Sequence, residues 1–187
     1  MHSGNICIGG FMCSGKTSVG RELSRRLGWE FLDTDTVIEQ RAGMPVPRIF
    51  AELGEPVFRR FEFEVVSEAV GGSNRVVSLG GGALVNTELR NRVLANACLV
   101  ILDVRAETVL CRAERQKGAR PLLDSGTVHS LMAKRTSAYA ACHLRVATDE
   151  FPVNAVADRI LANIPLTGTL TGTDTIRAAA ETLCVPA

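Results

Sequence analysis

Apolar residues recur along this chain in two rhythms: short, mostly apolar stretches, and positions spaced three and four apart. The short stretches stand at residues 5–8, 30–32, 75–79, 98–102 and 144–146, of the length and apolar bias expected of strands in a buried parallel sheet. Helical spacing fills the gaps. Val19, Leu23 and Leu27 run up to Gly28, and short helices are expected over 37–41 and 46–53, the second stopped by Gly54. A longer helix over 57–70 carries Phe58, Phe61, Val65 and Ala69, and Asn86 stands where it would cap a helix bearing Leu89 and Val93. Ala106, Val109, Leu110 and Ala113 mark the next helix. Val128, Leu131, Met132, Tyr139 and Cys142 mark one over 126–142. Val156, Ile160 and Leu161 mark the last, with Pro152 at its first position and Pro165 as its stop. Five strands alternating with helices predict an α/β chain, a three-layer α/β/α sandwich around a five-stranded parallel sheet. Beyond residue 164 the pattern lapses into Leu-Thr-Gly-Thr-Leu-Thr-Gly-Thr. Residues 1–164 therefore read as the domain and 165–187 as a flexible Thr/Gly-rich tail, with spacing for a helical turn or two at 176–183.

Composition narrows the function classes. With 187 residues and 46% hydrophobic content the chain can bury a full core as one domain. Lys+Arg number 21 against 20 Asp+Glu, so no basic field points to nucleic acid or a membrane surface. The longest apolar run, 97–102, is far short of the roughly 20 residues a membrane span needs. The polar start Met1-His2-Ser3-Gly4 leads straight into the first strand, so a cytoplasmic protein, monomeric on this reading, is expected. The six cysteines form no metal-binding spacing, and Cys7 and Cys98 fall in expected core strands. Cys13 differs, because a thiol at a helix N-terminus can become reactive.

Cys13 sits inside the stretch that carries the chemistry, Gly10-Phe11-Met12-Cys13-Ser14-Gly15-Lys16-Thr17. It fits G-x-x-x-x-G-K-[ST], the P-loop, between an expected strand and an expected helix. Its backbone N–H groups can cradle phosphates, Lys16 can reach the β- and γ-phosphates, and Thr17 offers a hydroxyl to magnesium. The second strand ends in Asp33-Thr34-Asp35, two carboxylates at the carboxyl edge of the sheet, unless one merely caps the helix beginning near Thr36. Arg59 and Glu62, three apart on a helix, read as an exposed pair on a solvated face. Gly80-Gly81-Gly82 follows the third strand directly, leaving backbone free to approach a ligand. The apolar run that ends in Asp103 resembles a Walker B element, so Asp103 rivals Asp33 for the magnesium side. The basic segment after Arg112, about 113–125, has the length of a lid that closes over phosphates. Arg135 lies on the apolar stripe of its helix, where it needs an anion, either a structural carboxylate or a ligand. His129 and His143 read as surface or structural residues.

Taken together, the chain resembles the shikimate kinases of the P-loop, nucleoside-monophosphate-kinase-like group. The likeness rests on G-F-M-C-S-G-K-T-S-V-G-R, D-T-D at 33–35, G-E-P-V-F-R-R-F-E at 54–62, S-L-G-G-G-A at 78–83, R-P-L-L at 120–123 and L-M-A-K-R at 131–135. It implies strand order 2-3-1-4-5 and transfer of the ATP γ-phosphoryl to the 3-hydroxyl of shikimate. It also implies magnesium on Thr17 and Asp33, which favours Asp33 over Asp103, and Asp35 on the acceptor hydroxyl. Arg59, Arg135 and Gly80, Gly81 and Gly82 would hold the acceptor carboxylate, with Glu62 orienting Arg59. ATP would meet Ser14, Gly15, Lys16, Thr17, Ser18 and the lid residue Arg120, and Lys16, Asp35 and Arg120 would be catalytic. Where the family usually has V-D-T this chain has Val146-Ala147-Thr148, so Arg112 and Pro152 become the candidates for adenine. Two other readings share much of this pattern: a gluconate-kinase-like relative acting on another small acid, and a nucleotide binder without catalysis. The D-T-D, triple-glycine and R-P-L-L set argues against the first, and the complete set of charged residues against the second.

Overall fold

In the computed structural model, which describes residues 4–115 and 125–164, the expected alternation is present. Strand β1 (Ile6–Gly10) leads into α1 (Lys16–Leu27), and β2 (Glu30–Asp33) into α2 (Thr34–Ala42), α3 (Val46–Glu52) and α4 (Glu55–Gly71). Strand β3 (Arg75–Ser78) is followed by a 3-10 turn (Ala83–Val85) and α5 (Thr87–Asn96). Next come β4 (Cys98–Asp103), α6 (Ala106–Arg115), α7 (Ser125–Ala140), β5 (Leu144–Ala147) and α8 (Val153–Asn163). The five strands are parallel in the order β2-β3-β1-β4-β5, with Ile6 opposite both Val76 and Cys98.

The apolar character of the central strands is explained by that order. Strand β1 lies between β3 and β4, and its alternating side chains enter two different cores. Cys7 packs with Val77, Leu99 and Ile101 beneath α4 and α5, while Ile6 and Ile8 pack with Val100 and Leu102 beneath α1 and α8. Burial drives the Cys7 thiol upward and the Cys98 thiol up to about 11, so both behave as small apolar side chains. A third cluster joins Phe11, Met12 and Cys13 of the P-loop to α6 and α7. A fourth, built on Ile38, Ile49, Phe58 and Val65, binds α2, α3 and α4 together.

Element ends follow local chemistry. Gly28 takes a left-handed conformation (φ 68°) that closes α1. Asn86 Oδ1 accepts from the Leu89 N–H and caps α5, as its sequence position predicts. Pro152 is the N-cap of α8 and not its first helical residue. The extended backbone of Pro152 (ψ 158°) lies just outside the helix, and Val153 begins it. Helix α2 starts at Thr34, two residues before the expected point, because Asp33 caps it. Among the described residues no helix is long and apolar enough to cross a membrane. The tail at 165–187 lies outside the described residues.

Candidate active site

The carboxyl edge of the sheet gathers the ends of β1, β2 and β3, and with them almost every charged residue singled out above. The P-loop leaves β1 at Gly10, whose φ of 138° suits glycine, and a side chain there would come within 2.5 Å of the Leu102 carbonyl oxygen. Gly15 (φ 96°) ends the loop and stands as the N-cap of α1. Six residues on from Gly10, Lys16 folds back so that its Nζ donates to the carbonyls of Gly10 (3.1 Å) and Phe11 (2.8 Å). Cys13 is half-buried with φ 59°, and its carbonyl accepts from Arg112 (3.0 Å).

The two carboxylates of D-T-D have separate settings. Asp33 Oδ1 accepts from the Asp35 N–H (3.2 Å), and Asp33 Oδ2 accepts from the Thr17 hydroxyl (2.9 Å). One side chain thus caps α2 and also meets the P-loop, so capping and ligand-side placement are not alternatives here. The intervening Thr34 is fully buried, and its Oγ1 accepts from the Gly80 N–H (2.9 Å), tying the D-T-D turn to the glycine triplet. Sequence reading passed over Thr34, although its place between two site carboxylates was the available signal.

Each glycine of the triplet faces charged side chains, Gly80 two of them and Gly81 and Gly82 one each. A Cβ at Gly80 would stand 2.8 Å from Asp35 Oδ1 and 3.0 Å from Glu62 Oε1. At Gly81 it would stand 3.1 Å from Arg135 Nη1, and at Gly82 2.8 Å from Arg59 Nη1. Three glycines in a row are what allow two carboxylates and two guanidiniums to converge on one stretch of backbone.

The expected solvated Arg59–Glu62 pair is corrected by this geometry. Glu62 is buried (2% exposed) because α4 turns it inward beneath Gly80, and its Oε2 accepts from Arg59 Nη1 at 2.6 Å. Arg59 is held on its other side by Glu55, with two contacts to Oε1 of 3.0 and 3.1 Å. Burial pushes the Glu62 carboxyl above its ordinary value, Arg59 pulls it back, and the Asp35 charge pushes it further up. Its second oxygen, Oε1, is buried without a hydrogen-bond partner among the described residues.

These groups line one cavity of about 450 Å³ running from Lys16, Thr17 and Asp33 to Arg59, the glycines and Arg135. Phe50 and Phe58, with ring centres 4.6 Å apart, form its apolar wall. Phe50 had no distinctive sequence signal. A second cavity, about 360 Å³, opens on the other side of the loop and brings together Ser14, Gly15, Ser18, Arg112 and Pro152. Arg112 is anchored there by donating to the Thr148 carbonyl at 2.7 Å. Asp103 lies elsewhere. Both its oxygens accept from Arg145 Nη1 (2.8 and 2.9 Å), and it does not line the main cavity. His143 is structural, its Nδ1 accepting from the Leu99 N–H (2.9 Å) while burial holds it neutral to lower pH. His129 Nδ1 contacts the Ser125 carbonyl. Arg120 and positions 116–124 of the expected lid lie outside the described residues; 113–115 belong to α6 and Ser125 begins α7.

The hydroxyl of Thr17 and the carboxylate of Asp33 form a hard-oxygen donor set of the kind magnesium shares with phosphates and water. No group of three or more His, Cys, Asp or Glu that could cage a metal occurs among the described residues. The residues present therefore fit an ion carried in largely by phosphate oxygens.

A P-loop on the central strand of a parallel sheet, facing a chamber of paired arginines and carboxylates, defines a P-loop kinase of small molecules. The family model for shikimate kinase matches residues 12–165, and the chain belongs to that family. A shikimate kinase of Thermus thermophilus is 39% identical over 163 residues, 85% of this chain and 89% of that protein. One of Moorella thermoacetica is 43% identical over 163 residues, 84% of this chain and 92% of the other. The solved structure of Acinetobacter baumannii shikimate kinase in complex with shikimate superposes with a TM-score of 0.79 at 34% identity, covering 84% of this chain and 90% of that one.

Proposed function

We propose that this chain transfers the γ-phosphoryl group of ATP to the 3-hydroxyl of shikimate, giving shikimate 3-phosphate and ADP for aromatic amino acid synthesis in the cytoplasm. The observation that carries this reading is the convergence of Arg59, Arg135 and Asp35 on the glycine triplet, in the same cavity as Lys16. Two guanidiniums with a carboxylate beside them suit an acceptor that has a carboxylate at one end and hydroxyls at the other. Phe58 and Phe50 offer an apolar face to its ring.

Phosphoryl transfer asks a protein chiefly for position and for compensation of charge. On this reading Lys16 exchanges the Gly10 and Phe11 carbonyls for phosphate oxygens, and Arg59 and Arg135 grip the acceptor carboxylate. That grip fixes the distance from carboxylate to reacting hydroxyl. Asp35 orients the hydroxyl and takes its proton as the new O–P bond forms and the bond to the β-phosphate oxygen breaks. Thr17 and Asp33 would hold a magnesium ion, which would supply charge neutralisation on the transferring group. Arg112 and Pro152 border the adenine, beside the loop residues Ser14, Gly15 and Ser18, and Arg120 completes the phosphate side. The protein works as a monomer, with no nucleic-acid or membrane partner.

An ADP-release assay over a panel of hydroxylated carboxylic acids tests the assignment. Turnover dependent on shikimate is expected. Robust turnover on a different acid with none on shikimate refutes the acceptor while leaving the kinase chemistry standing.

A further inference from the structure

Tyr139 is the chain's single tyrosine and stands one helical turn beyond Arg135 on α7. It is buried (9% exposed), yet its hydroxyl is not idle: it donates to the Gly81 carbonyl at 2.6 Å. Gly81 is the residue against which Arg135 lies, with Nη1 3.1 Å from where a Cβ would be, and Arg135 also interacts with the Tyr139 phenol oxygen. The other side of the guanidinium rests on the Phe11 ring, 5.4 Å from its centre. Tyr139 is itself fixed from behind. Arg145 Nη2 donates to the Tyr139 carbonyl (2.6 Å), while Arg145 Nη1 holds both oxygens of Asp103 at the end of β4. Asp103, Arg145, Tyr139 and Gly81 thus form a continuous hydrogen-bonded strut from the sheet to the glycine triplet.

We infer that Tyr139 is a positioning residue for the acceptor's carboxylate: its hydroxyl holds Gly81 and Arg135 in mutual register, so that Arg135 meets the acid already aligned. The inference rests on the reading of Arg135 as part of the carboxylate clamp. A guanidinium delivers two parallel hydrogen bonds only when its plane is held, and α7 alone leaves a long side chain free to rotate. Tyr139→Phe keeps the ring and removes the one atom that makes the link.

The test uses the full chain and steady-state kinetics with shikimate and with its neutral methyl ester. Wild-type turnover on shikimate examines the proposed function. The ratio of variant to wild type examines the inference, and is measured on whichever acid of the panel the wild type accepts. Tyr139→Phe should raise KM for the acid about five- to ten-fold, the scale of one aligning hydrogen bond, with kcat and KM for ATP within about two-fold. KM for the ester, which offers no carboxylate to grip, should not change. Asp103→Asn acts from the other end of the strut and should give the same acid-selective shift at smaller size, with melting temperature recorded for both variants. An equal rise for acid and ester marks a merely structural tyrosine and overturns the inference, as does an unchanged KM for the acid.

Discussion

Gly82→Ala separates room from backbone freedom more cleanly than any other change in the site. Gly82 has φ −107° and ψ −8°, a conformation open to alanine, so the backbone has no reason to resist. The added methyl would stand 2.8 Å from Arg59 Nη1 and 3.0 Å from Nη2, where ordinary contact begins at 3.4 Å. Arg59 must therefore retreat by about 0.6 Å, beyond the ~0.5 Å tolerance of an aligned binding group. It cannot retreat freely, because Glu62 and Glu55 hold it from two sides. With a misplacement of about 1 Å worth up to ~10²-fold, KM for the acceptor acid should rise about ten-fold, or ~1.4 kcal/mol, with KM for ATP unchanged. Melting temperature should hold or rise slightly, since alanine narrows the unfolded ensemble by about 0.4–1 kcal/mol where its backbone fits. Gly28→Ala is the counterpart, with φ 68° and nothing within 4 Å of a new Cβ. It should cost about 1 kcal/mol of stability and leave both KM values alone. Steady-state kinetics and thermal melts on the two variants check both halves. A folded Gly82→Ala enzyme with wild-type KM for the acid, or with both KM values raised equally, would refute the reasoning.

Arg135→Lys keeps the charge but loses the planar fork, so KM for the acid should rise by about ten-fold or more while ATP affinity stays; equal loss of both affinities would instead indicate a structural ion pair. Glu62 is held above the 4.5 of an ordinary glutamate, chiefly by burial, so its carboxyl contributes stability that is fully present below 4.5 and lost as pH rises through the folded value. Glu62→Gln has no proton to lose there. The melting-temperature gap between wild type and Glu62→Gln should accordingly move in the wild type's favour as pH falls from neutrality toward 4.5, and a gap that stays flat across that range contradicts the assignment.

Local pattern and motif spacing were sufficient for the alternation of strands and helices, for the P-loop between its strand and helix, and for the caps at Gly28 and Asn86. Those features depend on residues within a few positions of one another, and short-range chemistry is what a linear sequence displays. The inward stripe position of Arg135 was legible for the same reason, because helical periodicity assigns faces without knowing what they meet. Tertiary structure decided the rest. Whether Glu62 faced water or the site depended on α4 packing beneath residues 80–82, a contact between segments about twenty residues apart. Asp103 and Asp33 end their strands alike in sequence, but strand order sets Asp33 beside Thr17 and Asp103 beside Arg145. Thr34 had no role beyond its place between two carboxylates, and Tyr139 read as a core aromatic, until the sheet brought the Gly80 N–H and the Gly81 carbonyl to their hydroxyls. A hydrogen bond is settled by the partner within about 3 Å, and for these side chains the partner is chosen by the packing of distant elements.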